Sequence, residues 1–557
     1  MKIMNARKTV QTVCMLVMMT WCVMCCCAGN SSALETGIPN LEVWGYIQNE
    51  TAIHTTSNSG LENIFEDSHV SPAFGNHPAS LLINGLSRQN KVDHSGSMMK
   101  FENTFNLKAL YRLVDTYDRK ITFFSRFYLL YDAVHDMEND LGYRSGGLPG
   151  AKHGSGDPRH WYRDDFNNQS FKRIVRELYV DINTPAFDIR IGKQMIVWGE
   201  IDGFRLLDLV NPFDLREFIL DDYEDSRTPQ WSIDVKWRFM ESKPDQFLEF
   251  VFIPDFEANQ IMKEGSQWDV DEIKVYYAGI RAFQYVDDFN LFGPDYHFKN
   301  KYSKPGQAFK NANMGVRLSG LAQMERGALA YSFSYFYTWD ASWAPFVKGW
   351  FMPLIGNVKS HNTVPGVTDL FLLAPTTIER KHTRNHIFGA TFNKVVGTWA
   401  LRGEMAFTLN KYTAVNPLRT GQSGQDFEKK KNTIDYCLGF DKNIFTDVFL
   451  SGQIIQSVVL DADKRMVKGL SLRERRAVNT FFTFVIMKLF NNDQMGFSTL
   501  MAYGTEGEWW INPKLWWEVT QNIKATVSAH IFEGNHYDTL GQMDDNDHIF
   551  VQLKYSF

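Results

Sequence analysis

The sequence predicts an all-β fold, a transmembrane antiparallel β-barrel of about 18 strands (a range of roughly 16–20) with one inward-folded loop. Three observations predict it. Segments of about ten residues alternate apolar and polar side chains many times, a period of two that is typical of β-strands. Aromatic residues make up 14% of a chain whose mean hydropathy is only -0.30. Connections between the segments also alternate between short and long, as in barrels that cross a membrane.

The N-terminal segment predicts a secretory signal peptide. Three Lys or Arg residues lie within the first eight positions, and the run over 9–27 is rich in Val, Met, Leu and Cys. Small residues follow, which completes the order of regions in such a leader. We expect cleavage after Ala33, with Ala28 as the second choice, so that 1–33 is the signal peptide. An uncleaved membrane anchor is the alternative, because the run approaches the length of a span.

Composition argues against several other classes of protein. No linker rich in Pro, Gly or Ser divides the 557 residues, so one large barrel domain over 34–557 is expected. The net charge of -6 and the lack of a basic stripe argue against nucleic acid as a partner. Only one of the six cysteines, Cys437, lies beyond the leader, so neither a disulfide nor a cysteine metal site is expected. No cofactor is expected either.

Alternation of side chains places strands along the mature chain, most clearly over 231–239. Its apolar face should meet lipid through Trp231, Ile233, Val235, Trp237 and Phe239. Its polar face should meet water in the lumen through Ser232, Asp234, Lys236 and Arg238. The predicted strands lie near 43–53, 100–112, 119–131, 171–182, 186–198, 231–239, 246–254, 273–283, 310–321, 329–339, 386–394, 399–409, 432–442, 446–457, 477–490, 495–505, 508–519, 522–532 and 547–557.

This gives roughly nineteen strands, which conflicts with the even number expected of a single-chain barrel. When the short and long connections are followed inward from each end, the two assignments disagree between residues 229 and 309. One strand there is therefore superfluous or missing, and about eighteen strands are expected. A barrel of that size has a lumen too wide for its own side chains to fill, so the barrel either conducts or is plugged.

The connections sort into two kinds. The tight ones, expected to face the periplasm, lie at 183–185, 395–397 and 443–445. The long ones are polar and rich in Gly, Pro, Asp and Asn, and they lie at 54–97, 132–170, 340–385 and 410–431. Short turns on one side and long loops on the other are typical of outer-membrane barrels.

The C-terminal stretch over 547–557 resembles the closing strand of bacterial outer-membrane barrels. Its alternate residues Ile549, Val551, Leu553 and Tyr555 share one face with the final Phe557. In those barrels a strand of this pattern also acts as an assembly signal. The resemblance implies localisation in the bacterial outer membrane. A buried edge strand of a soluble sandwich is the alternative.

The segment over 199–228 carries the candidate specificity. It holds nine carboxylates against three arginines, a balance of -6, and no lysine. The candidate constriction and selectivity residues are Glu200, Asp202, Arg205, Asp208, Asp214, Arg216, Glu217, Asp221, Asp222, Glu224, Asp225 and Arg227. Because arginine forms bidentate pairs with carboxylates in confined places, we expect the segment to fold into the lumen and narrow it. An ordered extracellular loop with solvated charges is the alternative.

Two local features of this segment lead to further expectations. Asn211 is suited to cap a helix that begins at Pro212, and Leu215, Phe218 and Ile219 would then share one apolar face. A calcium site is chemically allowed for Asp221, Asp222, Glu224 and Asp225. The spacing of these four matches no standard calcium loop, so no metal site is predicted.

Five short motifs resemble the central signature of a Gram-negative outer-membrane family, catalogued as domain of unknown function thirteen-oh-two. They are Gly192-Lys193-Gln194, Val197-Trp198-Gly199-Glu200, Asn211-Pro212, Leu215-Arg216 and the run from Asp221 to Arg227. The resemblance is dense over 190–231, and the general layout covers most of the mature chain. It implies a barrel, often in genomic company with lipid-exporter-like inner-membrane pumps, and no established substrate.

These observations predict a porin-like channel that passes small polar or amphipathic solutes through the charged segment. The alternative is a structural or partner-binding barrel of a trans-envelope lipid or efflux system. Expected partners are outer-membrane lipid, small solutes or lipid-like cargo, and an inner-membrane pump or periplasmic protein. An enzyme is not expected, because no Gly-x-Ser-x-Gly motif is present. Seven early histidines are more typical of solvated loops than of ligands: His54, His69, His77, His94, His135, His153 and His160.

Overall fold

The computed structural model describes fifteen stretches of the chain. They are 36–55, 96, 98–134, 171–201, 205–220, 223–262, 268, 297–306, 308–325, 327–353, 371–414, 428–445, 447–462, 476–535 and 538–557. The predicted signal peptide over 1–33 and the predicted strand near 273–283 lie outside these residues, as do most of the long connections. Among the described residues, no helix has the length and apolar character needed to cross a membrane.

The described elements are almost all strands. They are β1 (Leu41–His54), β2 (Met98–Asp115), β3 (Lys120–Asp132), β4 (Val175–Asn183), β5 (Phe187–Gln194), β6 (Asp214–Leu215), β7 (Gln230–Trp237), β8 (Phe247–Ile253), β9 (Gln260–Ile261), β10 (Lys299–Ser303), β11 (Asn313–Met324), β12 (Gly327–Trp339), β13 (Ala344–Pro353), β14 (Phe371–Lys381), β15 (Arg384–Val396), β16 (Trp399–Ala414), β17 (Glu428–Ile444), β18 (Val448–Val459), β19 (Val478–Phe490), β20 (Met495–Gly504), β21 (Trp509–Glu518), β22 (Ile523–Glu533) and β23 (His548–Ser556). The helical pieces are α1 (Phe171–Ile174), α2 (Tyr223–Ser226) and two 3-10 turns, Phe309–Asn311 and Gly541–Asn546.

Eighteen of these strands form one closed antiparallel barrel, as the alternation of side chains predicts. Each wall strand pairs with its neighbours, and β1 pairs with β23 to close the ring. At this seam the Phe557 amide donates to the Gly45 carbonyl at 3.0 Å, and the Gly45 amide donates to the Phe557 carbonyl at 2.9 Å. The Phe557 ring then stacks near Phe105 of β2, with ring centroids 6.4 Å apart. Closure removes the unpaired sheet edges that an open sheet would leave.

The disagreement in the strand count is resolved between β8 and β11. These two strands pair directly, from Asn313 opposite Ile253 to Ser319 opposite Phe247. The wall is therefore complete without a strand from the intervening region, and the number of wall strands is 18 rather than 19. The predicted strand near 273–283 lies outside the described residues, and the wall closes without it.

Two other predicted strands are too long. The one near 171–182 begins instead with the single helical turn α1, and β4 starts at Val175. The one near 186–198 ends at Gln194, after which the chain leaves the sheet. The reason is local, since the Ile196 amide donates to the Asn211 side chain at 2.8 Å rather than to a neighbouring strand.

Three of the five strands outside the wall, β10, β14 and β13, form a small sheet of their own. The other two, β6 and β9, pair in parallel over two residues each. The predicted tight connections are short, and they join β4 to β5, β15 to β16, and β17 to β18.

The wall has an apolar outer face and a polar inner face. In β7, Trp231, Ile233 and Trp237 are 50%, 40% and 42% exposed, whereas Ser232 and Asp234 are buried. The same pattern of exposed apolar and buried polar side chains recurs around the barrel. The outward-facing apolar residues include Phe123, Phe333, Phe388, Leu438 and Val551. Buried polar residues on the inner side include Lys100, Glu102, Asn106, Glu249 and Glu404. A water-soluble protein shows the opposite arrangement.

This register leads to a labelling prediction. Cysteine introduced at Lys236 should react with a water-soluble maleimide when the protein is in lipid vesicles, because this side chain reaches the lumen. Cysteine at Ile233 or Val235 should stay unlabelled, because lipid covers that face. The natural Cys437 is buried and supplies the low-background control. Labelling at 233 and 235 but not at 236 would mean that the register is reversed.

Candidate functional site

The chain between β5 and β7 contacts the inner face of the wall, and the helix predicted to start at Pro212 does not form there. Phe213 instead makes an antiparallel bridge with Arg227. The next two residues form β6, and Phe218 in the following turn adopts a φ of 58°. The helix prediction was wrong because these backbone groups bond across the segment and to β9, and a helix would need the same groups.

Asn211 has a different role from the predicted helix cap. Its side-chain oxygen accepts from the Ile196 amide at 2.8 Å, and its side-chain nitrogen donates to the Thr228 carbonyl at 3.1 Å. The residue is 1% exposed. Asn211 therefore ties together the two ends of the segment, where the chain leaves β5 and where it returns to β7.

The apolar side chains expected on the helix nevertheless pack together. Leu215, Phe218 and Ile219 contact an apolar cluster that also includes Ile201 and Leu206 of the segment. The wall contributes Ala52, Met99, Cys437, Ile455, Phe481, Ala502, Trp510 and Phe532 from the inner face of the barrel. The cluster also includes Met262, Trp268, Leu540 and Met543 from other parts of the chain. Burial of this apolar surface stabilises the segment inside the barrel by the hydrophobic effect.

A carboxylate of the wall holds the first part of the segment. Glu404 of β16 accepts from the Glu200 amide and from the Leu207 amide, both at 2.6 Å. Glu404 is 3% exposed, so both bonds are shielded from water. Hydrogen bonds from backbone amides to an ionised carboxylate are among the stronger ones in proteins. No local sequence pattern indicated the role of Glu404, because this residue lies about 200 positions away from its partners.

A second attachment surrounds Lys100 of β2. Its ammonium lies 2.7 Å from Glu217 of the segment, 2.8 Å from Glu50 of β1 and 3.4 Å from Glu102 of β2. The Lys100 side chain is 3% exposed. One cation is thus shared among three carboxylates in a buried place.

A third attachment holds α2. Arg126 of β3 pairs with Asp225 at 2.6 Å, and it also lies 3.4 Å from Glu224 and 3.5 Å from Glu177 of β4. Arg176 of β4 donates to the Asp225 carbonyl, and it also donates to the Arg227 carbonyl at 2.9 Å. Together the two arginines fix both the side chain and the backbone at this end of the segment.

The arginines of the segment also pair within it. Arg216 makes a two-pronged pair with Asp214, at 2.8 and 2.6 Å. Burial by itself would raise the pKa of Asp214, but the charge and hydrogen bonds of Arg216 outweigh burial and hold that pKa below its ordinary value. Arg227 pairs with the buried Asp208 at 2.6 Å. These pairs are of the confined arginine–carboxylate kind that the composition suggested.

Arg205 stabilises the backbone of the segment. It donates to the Asp208 carbonyl and, at 2.5 Å, to the Asn211 carbonyl. Its guanidinium also lies over the Phe213 ring, 4.4 Å from the centroid. Arg205 therefore supports the shape of the segment from within.

The structure brings together only some of the twelve predicted residues. Asp208, Asp214, Arg216, Glu217, Glu224, Asp225 and Arg227 take part in the ion pairs above, and Glu200 and Glu224 are exposed. Asp202, Asp221 and Asp222 lie outside the described residues. Asp221 and Asp222 are two of the four residues considered above for a calcium site. Of the seven early histidines only His54 is described, and it is buried at the end of β1. Within the described stretches, no group of three or more His, Cys, Asp or Glu is placed to hold a metal ion.

Sequence reasoning missed the residues of the wall that hold the segment: Lys100, Arg126, Arg176 and Glu404. Alternation in β2 could have marked Lys100 and Glu102 as facing inward, since they lie two positions apart. The identity of their partners had no signal in the sequence. The role of the twelve residues in selecting solutes stays a prediction.

The shared lysine leads to a prediction about pH. Burial raises the pKa of Glu217 to about 7, against the pull of Lys100, and the charges of Glu102 and Glu50 add to the rise. The docked state of the segment favours Glu217 as the neutral acid. The stability that Glu217 contributes to docking is therefore fully present below its ordinary pKa of 4.5 and is lost as the pH rises towards 7. Channel conductance should therefore increase between pH 5 and pH 8, as the segment undocks more often.

The matched variant for this test is Glu217→Gln, which keeps the shape and cannot ionise. Its conductance should be nearly independent of pH over the same interval. Single-channel recording at several pH values measures both proteins. An identical pH profile in the two proteins would assign the titration to another group.

Several solved structures are similar to this chain at low sequence identity. Among solved structures, OccAB2 of Acinetobacter baumannii is 11% identical with a TM-score of 0.44, over 93% of this chain and 98% of that one. OccK8 (OprE) of Pseudomonas aeruginosa is 8% identical with a TM-score of 0.42, over 93% and 98%. OmpF of Salmonella typhi, in complex with daunomycin, is 8% identical with a TM-score of 0.37, over 93% and 97%. With TM-scores this low, these likenesses support no statement about function.

A search among curated proteins found no match. The family model described as "Protein of unknown function (DUF1302)" matches residues 90–557, most of the chain. It is the family whose signature the motifs between 190 and 231 resemble, so that expectation is confirmed. The chain belongs to the DUF1302 family.

Proposed function

We propose that this protein is a non-enzymatic channel of the bacterial outer membrane, which passes small polar or amphipathic solutes through a lumen narrowed by residues 199–228. The observation that carries the proposal is the contact between this charged segment and the inner wall of a closed barrel. Wall carboxylates and bases such as Glu404, Lys100 and Arg126 bind it there. An apolar outer face, like that of β7, suits a barrel that crosses lipid.

The segment would select solutes mainly by charge. An eighteen-stranded barrel is too wide to be filled by its wall side chains alone, so the folded segment sets the width of the path. The segment carries a balance of -6 over 199–228, although its arginines neutralise part of this locally. The negative charges of exposed carboxylates such as Glu200 and Glu224 act on ions in the aqueous path. Small cations should therefore pass more readily than small anions.

A charge-neutralising variant tests the selection. The double variant Glu200→Gln, Glu224→Gln changes only exposed carboxylates, so the attachments of the segment stay intact apart from the 3.4 Å contact of Glu224 with Arg126. At about 8 Å in water each charge lowers the energy of a monovalent cation and raises that of a monovalent anion by about 0.5 kcal/mol, so each removal should lower the cation-to-anion permeability ratio about fivefold. Reversal potentials in a KCl gradient measure this ratio.

The matched control is Asp118→Asn, which removes an exposed carboxylate from the tight turn between β2 and β3. It should leave the permeability ratio unchanged. If the double variant behaves like this control, the segment does not select ions and the proposed constriction fails.

A structural or partner-binding barrel of a trans-envelope lipid or efflux system is the second candidate. The packing of Leu215, Phe218 and Ile219 on the inner wall favours it, because a firmly seated segment suits a barrel that conducts only with a partner. That partner would be an inner-membrane pump or a periplasmic protein handling lipid-like cargo. Absence of conductance from the wild-type protein and from a variant without the segment would make this candidate the better one.

A further inference from the structure

A cavity of about 100 Å³ lies between the segment and the inner face of β1 to β5. At about 30 Å³ for each water molecule, it has room for about three waters, which suits a solute of a few heavy atoms. Its lining holds six carboxylates and four basic side chains. The carboxylates are Glu50, Glu102, Asp214, Glu217, Asp225 and Glu257, and the bases are Arg173, Arg176, Lys193 and Arg216.

One end of the cavity is acidic. Glu50, Glu102 and Glu217 all lie within 3.4 Å of the ammonium of Lys100. Glu102 and Glu217 are 4% and 6% exposed, so water screens them little. Three carboxylates around one lysine leave an excess of negative charge that a second ammonium group would offset.

The other end of the cavity holds three arginines, Arg173, Arg176 and Arg216, beside the carboxylates Asp214, Glu257 and Asp225. Asp225 is paired with Arg126 of the wall, so positive charge is in excess at this end. Arg173 of α1 lies close enough to Arg216 for the two positive charges to act on each other, and burial followed by the charge of Arg216 lowers the pKa of Arg173. Arg176 lies over the Tyr128 ring, 4.8 Å from its centroid. Among the described residues, no acceptor reaches the buried Nε of Arg176. Guanidinium groups arranged in this way suit a planar carboxylate.

We propose that this cavity binds a small zwitterionic solute, with its ammonium group at Glu50, Glu102 and Glu217 and its carboxylate at Arg173, Arg176 and Arg216. The proposal rests on the proposed channel function, in which the cavity would be a solute-binding site along the lumen. A simple anion would meet a lining with an excess of two carboxylates over bases. A simple cation would meet three arginines at the other end. Only a dipolar molecule offsets the charge at both ends.

The experiment compares glycine with its two halves, acetate and methylammonium, on the full-length protein in detergent. Isothermal titration calorimetry at pH 6, where the segment stays docked, measures the three affinities. Because two charge-assisted contacts act together, glycine should bind about tenfold more tightly than either half. Arg173→Gln and Glu102→Gln should each weaken glycine binding about tenfold, towards the affinity of the corresponding half. The comparison of probes on the wild-type protein needs no variant and so does not depend on the folding of one.

The matched controls are Arg119→Gln and Asp118→Asn, which change exposed residues of the turn between β2 and β3. Both should bind glycine like the wild-type protein. Glycine binding no tighter than that of acetate or methylammonium would overturn the proposal, and so would an equal loss in the controls.

Bilayer recordings with the same probes separate this proposal from the channel function. Conductance that glycine does not block in preference to acetate and methylammonium would leave the channel standing and reject the zwitterion site. Tight glycine binding by a protein that does not conduct would support the site and reject the channel function.

Discussion

Single-channel conductance should rise at least about threefold when residues 203–226 are replaced by a short Gly/Ser bridge, while the barrel still assembles. The wall does not depend on these residues, because β5 and β7 pair with each other directly, from Phe187 opposite Trp237 to Gln194 opposite Gln230. The main charges of the wall would also keep partners. Lys100 retains Glu50 and Glu102, and Arg126 retains Glu177.

Three measurements check this deletion variant. Bilayer recording gives its conductance, heat-modifiable migration on gels reports closure of the barrel, and reversal potentials report ion selectivity. The matched control carries the same Gly/Ser bridge inserted in the turn between β2 and β3, at 116–119, and should conduct like the wild-type protein. A deletion variant that assembles with unchanged conductance and selectivity would show that the segment does not limit flow, in which case the partner-binding function becomes the better one.

Replacing Arg126 with Met should release the end of the segment that contains α2. Arg126 is 2% exposed in its side chain and is the shared partner of Asp225, Glu224 and Glu177. Removing one member of a fully buried ion pair typically costs about 3–5 kcal/mol. The side chains of Asp225 and Glu224 are 25% and 63% exposed, so water offsets part of this cost here. The docked state is still weakened, because Asp225 loses its 2.6 Å partner on the wall.

Hydrogen exchange of the amides over 205–227 measures this release, and exchange should be faster in Arg126→Met than in the wild-type protein. The matched control is Arg112→Met in the neighbouring strand β2. Arg112 pairs with Glu42 at 2.7 Å but is 38% exposed, so its loss should cost about 1 kcal/mol at most. Equal exchange in Arg126→Met and the wild-type protein would mean that apolar packing alone holds the segment.

Alternation of side chains was enough to predict the barrel. In β7 the period of two fixed both the strand and the direction of every side chain, because one face must meet lipid and the other must not. The terminal strand, β23, was found for the same reason. The even-strand rule located the conflict in the strand count, between residues 229 and 309, although it could not resolve that conflict.

Local patterns were less reliable in the segment between β5 and β7. The run from Asn211 to Ile219 has the capping residue, the Pro and the apolar spacing of a helix, and no helix forms there. A short helix has little stability of its own, so contacts with other parts of the chain decide its conformation. In this segment two strand-like contacts replace the helix. They are the bridge between Phe213 and Arg227 and the pairing of Asp214 with Gln260.

The fold class, the family signature and the charge of the segment could therefore be predicted, because each of these depends on residues that are close together in the chain. The partners of the charged side chains depend instead on contacts between distant parts of the chain. Glu404, Lys100 and Arg126 bind the segment from strands about 100 to 200 residues away. Such partners are brought together by closure of the barrel, which places distant strands around one lumen, and no local pattern encodes that proximity.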